Sequence, residues 1–288
     1  MSAEHLRAGN DALDRVKENG FSLVYVGRDS LGFSIGGADV TARQLATARL
    51  TAEAKGLALY ATLIGVKREP LGPNRALDTV ANLSAADGGA EGYRRILDHC
   101  KALGMRWVLD FGPPTPDDHD AYVSLMQAVA PHAAALSLGI SMKPHGTCLS
   151  NADLLGVVKE VDHPAFKISL DPGNVMYYTR GAESPTAGLD ELAPFVSTVV
   201  MKDCALTGDS QLDEYGSEGV DVLIVPGTGL VPFAEVASIL FAAGGFSGPL
   251  LLEKVPGTTL DEIDAGFRRG RDFCHTIWTT ASGGESKL

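Results

Sequence analysis

The chain has 288 residues, 45% of them hydrophobic and 21% charged, which is enough for one large α/β domain or two small ones. Its 24 Lys and Arg stand against 36 Asp and Glu, a formal net charge of -12 that disfavours a phosphate backbone, and so a nucleic-acid partner. No apolar stretch reaches the roughly 18 residues that would span a membrane. The first residues, Met-Ser-Ala-Glu-His, carry no apolar signal core. Cys100, Cys148, Cys204 and Cys274 form no Cys-x-x-Cys pair and no Cys–His zinc spacing, so reduced thiols of a cytoplasmic protein are expected.

Apolar runs that read as strands fall at residues 21–27, 57–64, 106–111, 135–143, 166–171, 197–202 and 249–253. They are short and rich in Leu or β-branched residues, as parallel strands covered on both faces are. The stretches between them read as helices at 12–19, 41–55, 90–102, 118–130, 150–161, 189–193, 232–243 and 260–277. Asp39 precedes the second helix, Gly56 and Gly104 close the second and third, and Pro131 ends the fourth. Ser150 with Asp153 three residues on comes close to a capping box. Residues 222–225 read as a further strand or as the edge of a loop. The ending from Ser282 to Leu288 reads as a solvated tail that matches a peroxisomal address only loosely, through its last three residues.

Repeated strand–helix units predict a single parallel α/β domain over residues 1–288, a TIM-type β/α barrel with residues 1–11 and 279–288 as tails. A Rossmann fold would need Gly-x-Gly-x-x-Gly directly after the first strand, and Gly32, Gly36 and Gly37 are spaced wrongly for it. Only seven strand runs are visible and the first clear element is a helix, so the first barrel strand is expected to be irregular or missing. Such a gap would expose strand edges that a second copy could cover, which makes a homodimer an expectation.

In a β/α barrel, reactive groups lie at the C-terminal ends of the strands. Four polar clusters occupy such ends: Ser-Met-Lys-Pro-His-Gly at 141–146, Leu-Asp-Pro-Gly-Asn at 170–174, Val-Met-Lys-Asp at 200–203 and Leu-Glu at 252–253. Side chains two apart on a strand share a face, which pairs Lys143 with His145 and Val200 with Lys202. Asp171 and Glu253 are expected at the same mouth, Asp110 at the end of a further strand and Arg28 at the end of the first. Each has a plainer reading. Asp171 before Pro172 and Gly173 could hold a turn, Lys202 could pair with Asp203 or Glu253, and Tyr177 and Tyr178 could simply pack. Gly227-Thr228-Gly229 resembles a phosphate-binding turn before a helix, a weak signal alone. No Gly-x-Ser-x-Gly elbow is present, and neither Cys148 nor Cys204 carries a signature that would activate a thiolate. A Schiff base on Lys143 or Lys202 would need a lowered pKa, which two carboxylates would oppose.

Taken in order, Pro-His-Gly, Asp-Pro-Gly-Asn, Lys-Asp, Gly-Thr-Gly and Leu-Leu-Leu-Glu-Lys resemble the sugar phosphate isomerase/epimerase family, part of the xylose-isomerase-like TIM barrel superfamily that also holds endonuclease IV. The resemblance covers roughly residues 12–275. It implies one divalent metal held by a Glu, an Asp, a His and a second Glu. Asp171 matches the Asp and Glu253 the final Glu, but Lys143 stands where the first Glu would be and Val200 where the His would be. A protonated lysine binds no metal and valine never does.

Three chemistries stay open. Lys143 could lie between Asp171 and Glu253 as a fixed cation, with no cofactor. One divalent metal (Mn, Mg, Zn or Co) could bind through His145, Asp171 and Glu253. Or the site could be inactive and the fold kept for binding. The expected function is a carbohydrate isomerase or epimerase that moves a proton next to a carbonyl of a small keto-sugar or polyol. The alternatives are a carbohydrate lyase of the same barrel family and a non-catalytic sugar-binding or partner subunit. The catalytic residues would be Glu253 as base, Lys143 as electrophile and His145 or Lys202 as relay. Asp171, Asn174, Asp110 and Arg28 would bind substrate. An endonuclease would need more His and acidic ligands than this chain offers.

Overall fold

The structure, a computed structural model, describes residues 10–67, 81–82, 89–206 and 220–282. The chain divides into two compact units, residues 1–147 with 157–167 and residues 148–156 with 168–288.

In the first unit, β1 (Leu23–Gly27), β2 (Ala58–Ile64), β3 (Trp107–Asp110) and β4 (Gly139–Met142) pair in that order, all parallel. Helices α1 (Asn10–Glu18), α2 (Ala42–Ala54), α3 (Gly89–Ala102) and α4 (His119–Ala135) alternate with them. Val24, Val26, Val108 and Ile140 of the strands are fully buried, as are Leu97 of α3 and Met126 and Val129 of α4. Burying these side chains stabilises the layer by about 1.5–3 kcal/mol each. Thr41 caps α2, and its hydroxyl and the Gln44 side chain satisfy each other's backbone N–H groups.

The fourth helix does not stop at Pro131. It continues to Ala135 with the proline inside it. The buried stripe of Tyr122, Met126, Val129 and Ala133 runs past the proline, and that burial outweighs the lost hydrogen bond. The apolar run at 135–143 is therefore shared between two elements. Its first residue ends α4, Ser137 turns the chain at φ 58, and β4 starts only at Gly139.

In the second unit, β5 (Phe166–Leu170), β6 (Val196–Val200) and β7 (Leu250–Leu251) pair in parallel. Helices α5 (Asn151–Val161), α6 (Pro172–Tyr178), α7 (Leu189–Leu192), α8 (Phe233–Gly244) and α9 (Leu260–Ala281) complete it, with α5 and β5 each running from one unit into the other. The Ser150 and Asp153 side chains cap α5 reciprocally. Phe241 and Phe246 pack on Trp278 at ring separations of 5.5 and 5.4 Å, which seats α9 on α8.

The seven parallel strands are the seven apolar runs. Residues 222–225 are not a strand; Val220–Asp221 instead pairs antiparallel with Ala205–Leu206. Helix α1 begins at Asn10 and α9 runs to Ala281, so both tails are shorter than the sequence suggests. Residues 1–9 and 283–288 lie outside the described residues, and with them any strand before α1 and the terminal Ser-Lys-Leu. No helix among the described residues is long and apolar enough to cross a membrane.

Candidate active site

Asp171 follows β5 directly and uses its two oxygens for different tasks. Oδ1 accepts the backbone N–H of Asn174 at 2.9 Å and so caps α6. Asp-Pro-Gly-Asn reads as a turn but begins a helix, because proline is at home in the first helical position. Gly173 is there for space: a Cβ on it would lie 2.3 Å from the carbonyl oxygen of Lys202. The first turn of α6 thus rests against the end of β6.

That contact brings Lys202 to the remaining oxygens. Its Nζ lies 2.6 Å from Glu253 Oε2, 3.2 Å from Asp171 Oδ2 and 2.9 Å from Asn174 Oδ1. All four residues are buried. Desolvation alone would favour a neutral amine, but Asp171 and Glu253 outweigh it and hold the lysine pKa above its ordinary value. The ammonium is therefore permanent at neutral pH, and a Schiff base on Lys202 is disfavoured.

Lys202 is thus a cation seated on both Asp171 and Glu253. Strand β6 delivers the lysine stem between the end of β5 and the segment after β7, and Asn174 supplies a third acceptor.

Asp203, next in the chain, is a structural residue that the sequence did not single out. Its Oδ1 accepts from the N–H groups of Cys204 and Val231 at 2.8 and 3.0 Å. Oδ2 accepts from those of Gly227 and Gly229 at 2.9 and 2.8 Å. The Gly-Thr-Gly turn, which resembles a phosphate-binding turn, therefore wraps a carboxylate of its own chain. Gly229 is required, since a Cβ there would meet the Cys204 carbonyl at 2.2 Å. The available signal was an acid directly after a strand-end lysine together with a glycine turn lacking an anion.

In the first unit, Lys143 and His145 follow β4. The Lys143 backbone N–H donates to the Asp110 carbonyl at 2.8 Å, and its buried Nζ lies 6.0 Å from the centre of the Phe111 ring, the outer limit of a cation–π contact. The His145 ring packs on the same ring with centroids 4.3 Å apart. Tyr177 and Tyr178, in the second unit, pack edge to face at 5.0 Å.

Asp110, expected to bind substrate, also has a structural task. Its fully buried carboxyl accepts from the Tyr93 hydroxyl and the Gly112 N–H, both at 2.9 Å, so it joins β3 to helix α3. Burial raises its pKa to about 6 even though these bonds oppose the shift. Arg28 is half-buried, and burial lowers its pKa against the pull of Asp29. Its Nε and Nη1 are buried without a hydrogen-bond acceptor among the described residues. The loop behind it is fixed by Ile35 N–H to the Arg28 carbonyl at 2.9 Å and Arg95 Nε to the Gly36 carbonyl at 2.7 Å.

All four cysteines are buried and none forms a disulfide. Burial pushes the thiols of Cys204 and Cys274 up to about 12 and raises Cys100 as well, so none of these three is a thiolate nucleophile at neutral pH. Among the described residues, no three His, Cys, Asp or Glu side chains are grouped to hold a metal ion. Of the set expected to hold a metal, Asp171 and Glu253 both engage Lys202.

A sequence profile of the family described as xylose isomerase-like TIM barrel matches residues 13–276. No curated protein matches the chain. Among solved structures, an L-ribulose 3-epimerase is 17% identical, with 98% of this chain and 95% of that one covered at a TM-score of 0.70. A D-psicose 3-epimerase from Clostridium cellulolyticum H10, solved with D-tagatose, is 15% identical over 93% of each chain at 0.69. A xylose isomerase-like TIM barrel protein from Mycobacterium smegmatis, in complex with magnesium, is 15% identical over 94% and 88% at 0.69. Identities this low speak for the fold alone, but the profile spans nearly the whole chain: it belongs to the xylose isomerase-like TIM barrel family and has that family's β/α barrel fold.

Proposed function

We propose that the chain is a carbohydrate isomerase or epimerase that moves a proton on the carbon next to the carbonyl of a small keto-sugar. The observation that carries this is the Lys202 ammonium held against Glu253 and Asp171 at 2.6 and 3.2 Å at the end of parallel strands. A carboxylate beside a fixed cation can divide the work of enolisation. Glu253 takes the proton from the α-carbon, and the electron pair moves onto the carbonyl oxygen. Lys202 N–H groups stabilise the oxygen as it becomes negative. Return of the proton to the other face gives the epimer, and return to the neighbouring carbon, with hydroxyl proton transfer, gives the isomer. Asn174 and Asp171 hold the lysine in place. The family match and the epimerase folds among the structural neighbours favour this chemistry.

Lys143 and His145 are proposed as further catalytic groups from their place at the end of β4, and Arg28 as a donor to substrate oxygens. Lys143→Ala tests the first: lost turnover in a folded protein supports the role, and lost folding alone counts against it.

The same cluster favours a second reading. Both carboxylates are ion-paired with Lys202, as they would be in a protein that only binds sugar. Incubating the protein with a panel of ketoses in D₂O separates the two. Exchange of the α-proton, abolished by Glu253→Gln, is the expected result. Ketose binding without exchange would replace the enzyme reading with the binding one.

A further inference from the structure

We infer that His99 is a latch on the loop that follows β1: as a neutral imidazole it holds Gly36 against α3, and a proton on its Nδ1 lets that residue go. The Gly36 backbone N–H donates to His99 Nδ1 at 3.0 Å. A backbone N–H can only donate, so Nδ1 is the unprotonated nitrogen and the ring proton sits on Nε2. Arg95, one turn earlier on the same face of α3, donates from Nε to the Gly36 carbonyl at 2.7 Å. One loop residue is thus held by both of its backbone groups. Ile96 of α3 comes so close that a Cβ on Gly36 would lie 2.4 Å from its Cγ1, and φ there is 92°, so only glycine suits the position.

The hold reaches back along the loop. Ile35, fully buried, donates its N–H to the Arg28 carbonyl at 2.9 Å, and Gly37 donates to that of Ser34 at 2.8 Å. Residues 28–37 leave the C-terminal end of β1, the end at which β/α barrels keep their reactive groups. The two α3 side chains answer differently to pH. Arg95 stays charged and keeps donating. On taking a proton, His99 turns its one acceptor into a donor that faces the Gly36 N–H, and it sets a positive ring one turn from a guanidinium. The ring is half-buried, and burial first, then Arg95, lower its pKa from the ordinary histidine value, while Asp98 raises it. Asp98 also pairs with His132 of α4 at 2.8 Å. In the other segments packed about α3, Arg49 of α2 is paired with Glu53, and the Asp39 carboxylate lies 3.0 Å from where a Gly37 Cβ would be. A histidine with a depressed folded pKa lends its stability above its unfolded value of about 6.5 and loses it as pH falls through the folded value. The latch is therefore closed at neutral pH and opens in mild acid.

The inference stands apart from the sugar chemistry, because it is read without substrate. Nuclear magnetic resonance on the full chain follows two signals from pH 8 to pH 5: the His99 imidazole, and exchange of the Gly36 amide corrected for the intrinsic pH dependence of exchange. Protection of Gly36 is expected to fall at least about tenfold over this range, as the loss of one hydrogen bond implies, with the same midpoint as the His99 titration. His99→Asn, whose side chain does not titrate, is expected to remove that pH dependence. Unchanged Gly36 protection while His99 takes up its proton would overturn the inference. So would a ring still neutral at pH 5, or a pH-dependent loss that persists in His99→Asn. The first two of these are read on the wild-type protein, so they hold even where the substitution disturbs folding.

Discussion

Lys202 Nζ and Glu253 Oε2 lie 2.6 Å apart with both side chains almost sealed from water, and the same ammonium also serves Asp171 at 3.2 Å. Removing one member of a buried pair costs about 3–5 kcal/mol, because the partner stays buried and uncompensated. Lys202→Met is therefore expected to lose stability of that order at pH 7. Urea unfolding of the variant beside wild type at pH 7 checks this; an unchanged unfolding free energy would mean that the ion pair adds nothing net.

The raised pKa of Lys202 sets a second pH expectation for wild type. A lysine whose folded pKa exceeds its unfolded value of about 10.4 stabilises the fold fully below that value, and loses the contribution as pH rises through the folded pKa. This cluster should hence add no slope to stability between about pH 6 and 9 and begin to fail only in strong alkali. A lysine-dependent fall in unfolding free energy near pH 8, absent from Lys202→Met, would contradict it.

Gly173 tests whether the α6–β6 approach is structural. Its missing Cβ would lie 2.3 Å from a backbone carbonyl, which cannot step aside as a side chain can. Gly173→Ala is expected to cost about 1–3 kcal/mol and to loosen Lys202 from Asp171. Gly156, inside α5 with nothing within 4 Å of its Cβ site, is the control. Gly156→Ala should stabilise by about 0.5–1 kcal/mol. Opposite signs in thermal melts would separate close approach from helix propensity.

The seven strands were legible because each is a short apolar run between polar segments, and burial on both faces imposes that pattern. What was not legible were the places where tertiary contacts override a local signal. Pro131 reads as a helix end, yet α4 continues through it because Ala133 is still buried. Asp-Pro-Gly reads as a turn, yet Asp171 caps a helix there. Within the site, residue types and strand-end positions picked out Asp171, Asn174, Lys202 and Glu253. They did not say that Lys202 meets both carboxylates, because that depends on where β6 ends relative to α6. Asp110 was placed correctly at a strand end, but a four-residue strand does not reveal that its carboxyl meets Tyr93 of α3.

Asp203 is expected to be a sensitive structural acid of the second unit. It accepts four backbone N–H groups from Cys204, Gly227, Gly229 and Val231. Asp203→Asn turns one acceptor oxygen into an NH₂ that faces N–H donors, so at least one buried donor is left unmet. The expected loss is about 2–3 kcal/mol, with amide exchange accelerated at Gly227 and Gly229 ahead of the rest of the chain. If exchange at those glycines were unchanged, the turn would be held by something other than this carboxylate.

Asp110 carries the opposite expectation, a gain on substitution. Its pKa rises from an ordinary carboxylate value to about 6, chiefly through burial, with the bonds from Gly112 and Tyr93 opposing. The sign follows from which state holds the proton. As pH climbs past about 4 the unfolded chain ionises Asp110 while the folded chain still keeps it protonated. Ionisation then favours unfolding, and stability falls until about pH 6, above which both states are charged and the loss is complete. Two pKa units amount to about 3 kcal/mol at pH 7. Asp110→Asn removes the titration yet keeps an acceptor for the Gly112 N–H, and the Tyr93 hydroxyl can rotate to suit an amide. The variant should match wild type near pH 4 and exceed it by up to about 3 kcal/mol at pH 7. Urea unfolding at intervals from pH 4 to 7 reads the difference directly. Parallel curves for the two proteins would show that Asp110 is ionised in the folded state throughout and that its bonds, not its burial, set its charge.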